Sequence, residues 1–92
     1  MSRIKIPPVL RPDVGGLREI EASGATVGEA LQELVTAYPS LDGRVFENGE
    51  IPQFINVFVD GDDIRVLEGL ETRIAPESVV LLLPAVAGGS SA

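Results

Sequence analysis

Hydrophobic and polar positions alternate at the start of the chain, where Ile4 and Ile6 are interleaved with Arg3 and Lys5 in the period-two pattern of a strand. Pro7 and Pro8 stop the pattern, and Arg11 to Gly16 has turn chemistry. A second short alternation follows, with Leu17, Glu19 and Glu21 on one side and Arg18, Ile20 and Ala22 on the other. Two such runs around a turn-rich connection predict an opening β-hairpin whose connection is longer than a tight turn.

The period then changes. Val27, Ala30, Leu31, Leu34, Val35 and Tyr38 fall on one apolar stripe of a helix, with Gln32, Glu33 and Thr36 off it. Thr26 and Glu29 have the spacing of a capping box, Glu29 also suits the positive end of the helix dipole, and Pro39 ends the helix. Ser40 to Gln53 is polar and turn-rich, with a short helical turn expected around Gly43 to Phe46. The strongest strand is Phe54 to Val59, in which Ile55, Val57 and Val59 point one way and Phe54, Asn56 and Phe58 the other. Asp60-Gly61 is a hairpin signal, Ile64 to Val66 reads as a short return strand, and Gly69 to Pro76 as a connection. Ser78 to Leu83, rich in Val and Leu, reads as a buried final strand.

Strand, strand, helix, strand, short strand, strand places one helix across one face of a mixed four- or five-stranded sheet. This is an α+β, ubiquitin-like β-grasp arrangement. Residues 1–84 form that domain. Residues 85–92, Ala-Val-Ala-Gly-Gly-Ser-Ser-Ala, are small or flexible and form a C-terminal tail.

Composition narrows the chemistry. At 92 residues the chain is one domain with a single core and no deep internal cleft. Its 14 acidic against 7 basic residues leave a net charge of −7, which repels phosphate backbones and makes a basic protein surface the natural complement. The absence of Cys and His removes disulfides, thiolate nucleophiles, imidazole acid-base catalysis and zinc sites. The first residues lack the apolar core of a signal peptide, and the longest apolar run, Val79 to Leu83, is far too short to span a bilayer. A cytoplasmic protein without a membrane anchor is expected.

The remaining candidates are quickly weighed. Asp60, Asp62, Asp63 and Glu71 imitate a calcium loop, but Ile64 stands where an oxygen ligand is needed and Arg65 where the sharp turn requires Gly. Gly15-Gly16 lacks the pattern and lysine of a phosphate loop. Glu29 and Glu33 are explained by capping and a solvated face, and Ser90 and Ser91 have no base to activate them. No catalytic group, metal or bound cofactor is expected. Gly88-Gly89 remains.

The chain resembles the ubiquitin-like sulfur-carrier proteins, relatives of MoaD and ThiS, and is most similar to the CysO type. The resemblance runs through Ile6 to Pro12 with Gly15-Gly16, Thr26-Val27-Gly28, Phe54 to Val59, Asp63-Ile64-Arg65, Gly69-Leu70 and Leu82 to Gly89. It implies that the protein is no enzyme but the cosubstrate of enzymes. An E1-like partner uses ATP to adenylate the carboxylate of Gly89, and sulfur displaces AMP to leave a thiocarboxylate. A biosynthetic enzyme then accepts the sulfur. Cysteine synthesis is the best match, with molybdopterin, thiamin and secondary-metabolite synthesis as further recipients. Ala85, Val86, Ala87, Gly88 and Gly89 would thread the partner's active site, where any side chain at the last two positions blocks close approach. The family functions with Gly-Gly at the extreme C-terminus, whereas Ser90-Ser91-Ala92 follow here. A processing protease, of the zinc metalloprotease type that accompanies such carriers, is therefore expected. Phe54 and Phe58, opposite the helix-facing side of their strand, are the expected docking face. Asp60, Asp62, Asp63 and Glu68 are candidates for steering towards basic surfaces. Two other readings remain open: a protein modifier joined to lysines through Gly89, and a non-covalent β-grasp subunit whose tail is idle.

Overall fold

The computed structural model describes residues 1–47 and 49–84, so the tail expected over residues 85–92 lies outside the described residues. β1 (Ser2–Lys5) and β2 (Glu19–Ala22) form the antiparallel opening hairpin, with Ile4 opposite Ile20 and Lys5 opposite Glu19. α1 (Val27–Ala37) follows, then β3 (Ile55–Val59), β4 (Asp62–Asp63) and β5 (Val79–Pro84). The five strands lie in the order β2-β1-β5-β3-β4. β5 is central: it runs parallel to β1 and antiparallel to β3. This is the mixed sheet expected, with α1 across one face.

The helix begins where its capping residues stand. The N–H of Glu29 donates to the hydroxyl of Thr26 at 3.2 Å. The Glu29 carboxylate reaches back one residue further than an ordinary capping box, to the N–H of Ala25 at 2.8 Å. Glu33 is more than a solvated residue: its carboxylate accepts from both the N–H and the hydroxyl of Ser23 and so ties α1 to the end of β2. The stripe is buried as its spacing demands, with Val27, Ala30, Leu31, Leu34 and Val35 in the core and Tyr38 at its margin. They meet Ile4, Ile55, Val57, Val59, Val80 and Leu82 from the sheet.

Three local expectations are corrected. Arg11 to Gly16 is not merely a turn: Pro8–Val14, in the connection from β1 to β2, winds as a 3₁₀ helix that buries Leu10 and Val14 in the core. The helical turn expected over Gly43 to Phe46 falls earlier, at Pro39–Leu41, where Pro39 supplies the fixed φ of a first helical residue. Ile64–Val66 is a 3₁₀ turn rather than a return strand, because the Asp63 carboxylate accepts from the Arg65 N–H at 2.8 Å and caps the turn. The return strand is confined to Asp62–Asp63, paired with Val59 and Phe58. Asp60 and Gly61 between them have φ of +50° and +94°, the left-handed pair that a two-residue hairpin needs. Among the described residues no helix is long and apolar enough to cross a membrane.

Candidate functional site

The sheet has one covered face and one uncovered face, and alternation assigns residues to each. In β3, Ile55, Val57 and Val59 are buried, while Asn56 and Phe58 are half-buried on the other side. In β5, Val80 and Leu82 are fully buried; Val79 and Leu81 are half-buried, and Leu83 is exposed. The expectation of a final strand buried throughout is therefore corrected, since only alternate residues face the core. Cross-strand register sets Leu81 between Phe58 and Lys5, and Leu83 beside Asn56. The uncovered face thus has an apolar centre of Phe58, Leu81 and Leu83, bordered by Arg3 and Lys5 of β1 and Glu19 and Glu21 of β2. Leu81 and Leu83 were missed because Val79 to Leu83 is apolar at every position, and only the two-residue period of a strand, not the composition, separates its faces.

The two expected docking residues part company. Phe58 is on the uncovered face. Phe54 precedes β3 in a turn, 54% exposed, beside a hollow that it lines with Glu47, Glu50 and Pro52. β5 ends at Pro84, on the rim of this face, so the expected threading residues Ala85, Val86, Ala87, Gly88 and Gly89 start from it. Those five residues themselves lie outside the described residues.

Two of the four acids singled out for steering, Asp60 and Asp63, have local partners. Asp60 accepts from the Val79 N–H at 3.0 Å, which pins the β3–β4 hairpin to the start of β5. The Arg65 guanidinium donates to both carboxylate oxygens of Asp63, the closest at 2.7 Å, and to the Asn56 side-chain oxygen at 3.1 Å. Hydrogen bonds from the Arg65 side chain and backbone hold Asp63 below its ordinary carboxylate value, and the same pairing raises Arg65. Asp62 and Glu68 are exposed.

The ThiS family profile matches residues 4–89 of this chain. The sulfur carrier protein CysO of Mycobacterium tuberculosis is 38% identical over 89 residues, 94% of this chain and 96% of that protein. The fold is similar to a chain in the crystal structure of the Amycolatopsis orientalis BexX/CysO complex. The TM-score is 0.87 and the identity 35%, over 97% of this chain and 100% of that one. The solution structure of small archaeal modifier protein 1 from Methanosarcina acetivorans gives a TM-score of 0.84 at 34% identity, covering 96% and 95%. The chain therefore belongs to the ThiS family, as a sulfur-carrier protein of the CysO/ThiS type.

Proposed function

We propose that the chain carries sulfur as a thiocarboxylate on Gly89, formed after Ser90-Ser91-Ala92 are removed by a processing protease. A carboxylate is a poor acyl donor because its leaving group would be oxide. An E1-like enzyme transfers AMP from ATP to the Gly89 carboxylate, releasing pyrophosphate. A sulfur nucleophile then displaces AMP and leaves the C-terminal C–S bond. The thiocarboxylate passes its sulfur to a biosynthetic enzyme, for which cysteine synthesis is the leading candidate. In this role the folded domain is an address and Gly88-Gly89 the chemistry. Pro84 to Gly89 fully extended reaches on the order of 20 Å, enough to enter an enzyme while the domain stays outside. Ordering such a segment costs entropy, so the uncovered face around Phe58, Leu81 and Leu83 supplies the binding energy.

The observation that carries this reading is the extent of the family match, which runs to Gly89 and stops before Ser90. The BexX/CysO complex supports the enzyme-partner part by analogy. Intact-mass spectrometry of the protein isolated from its own cells tests it. A chain ending at Gly89, heavier by the difference between sulfur and oxygen, is expected; active preparations in which every chain retains Ala92 would overturn it. The likeness to small archaeal modifier protein 1 favours a second reading, conjugation of Gly89 to lysines. Isopeptide-linked adducts in lysate would identify that use.

A further inference from the structure

Acidic residues outnumber basic ones two to one, yet the bases are unevenly satisfied. Arg44 pairs with Asp13 at 2.8 Å and Arg65 with Asp63 at 2.7 Å, while Arg3 and Lys5 share the single carboxylate of Glu19 at 3.8 and 3.9 Å. Among the described residues Arg11, Arg18 and Arg73 have no carboxylate within ion-pair distance. Two of these three stand together. With Lys5 they line a groove of about 420 Å³ whose opposite wall is Leu81, Leu83 and Pro84.

The groove is fixed by one residue. The carbonyl of Ile6 accepts from Arg11 Nε at 3.0 Å, and its N–H donates to the carbonyl of Arg18 at 2.8 Å. Pro7 and Pro8 then turn the chain away from β5 with rigid φ, which opens the space. Among the described residues Glu19 is the sole carboxylate in the lining, which therefore carries an excess of two positive charges against an apolar wall. Such a wall focuses the local field. Asp60 and Asp62 sit at the other end of β5, beside Val79. At the ordinary rise of a strand, Val79 to Pro84 spans about 16 Å. That is about twice the Debye length at physiological salt, so those acids are largely screened at the groove. The described charges that line the root of the tail are thus mainly basic, although the net charge of the chain is negative.

We infer that this groove is a docking site for carboxylate side chains on the enzyme that adenylates Gly89, placed beside the entrance of its active site. This reverses the basic complement that net charge suggests. It rests on the thiocarboxylate reading above, and it adds the partner's surface chemistry and the residues that meet it.

The test uses the chain ending at Gly89 with the E1-like enzyme of the same genome, followed by ATP–pyrophosphate exchange. Arg18 is exposed, and its side chain has no hydrogen bond or ion pair among the described residues, so Arg18→Glu should fold normally. Arg11→Glu/Arg18→Glu should raise KM for the carrier about tenfold with kcat kept, and Arg18→Glu alone by a smaller factor. The rise of wild-type KM with salt should flatten in the double variant. Glu71→Lys/Glu77→Lys, away from the groove, should leave KM within about twofold. An unchanged KM in Arg18→Glu, or an equal rise in the Glu71→Lys/Glu77→Lys variant, overturns the assignment while the thiocarboxylate reading stands. No exchange with the wild-type chain overturns that reading, and this assignment with it.

Discussion

Single side chains decide where the elements begin. The Thr26–Glu29 pair was visible in the sequence because its bonds are local; the structure makes the Thr26 bond as expected and moves the Glu29 bond to the N–H of Ala25. Thr26→Ala should cost about 1 kcal/mol and lower Tm by roughly 4–8 °C, measured by thermal unfolding. A Cβ at Gly24 would come within 2.6 Å of Glu29 Cβ, so a glycine there lets the capping turn close. The same kind of local bond misled at Ile64-Arg65-Val66. Their alternation suits a strand, but the Asp63 carboxylate captures the Arg65 N–H and curls the chain. Asp63 should therefore titrate below its ordinary value of 3.8, and Arg65→Gln should move it back up, as read by side-chain NMR. With its folded pKa depressed, Asp63 favours folding above the unfolded value and loses that contribution as pH falls through the folded one. The pair is open to solvent, so the effect on stability is small.

At the level of elements, α1 and β3 were legible because each has a strong period, and β5 because its apolar run is unbroken; the two faces of β3 separated as the alternation implied. The 3₁₀ helix Pro8–Val14 was not legible. Its two core residues, Leu10 and Val14, are too few and too widely spaced to stand out among prolines and polar residues. Burial predicts how the two sides of the sheet respond to truncation. Leu31→Ala, in the fully buried stripe, should cost about 3 kcal/mol in denaturant unfolding. Phe58→Ala removes only a half-buried cross-strand contact with Leu81 and should cost about 1 kcal/mol. Under the docking reading its larger effect is on KM for the adenylating enzyme. A Phe58 variant equally impaired in both measurements would make that residue structural.

For the whole molecule, the fold was readable from element order, while the distribution of charge was not. Net charge is a sum over positions, and only the hairpin, the Pro8–Val14 helix and the end of β5 bring Lys5, Arg11 and Arg18 together. The tail motif was the most specific phrase in the sequence, and its role is testable without disturbing the fold. Gly88→Val should leave Tm unchanged and reduce adenylation roughly 100-fold, because a misplaced acyl carbon forfeits the orientation on which the reaction depends. Unimpaired adenylation would remove the requirement for a bare backbone there. The central position of β5 has one more consequence. β1 and β5 run side by side in the same direction, so opposite pulls on Ser2 and Pro84 act along the strands. The ladder between them is then loaded in shear, with its hydrogen bonds sharing the force instead of parting one at a time. The two strands form a mechanical clamp, and stretching from those two points should meet far more resistance than peeling β2 from the edge.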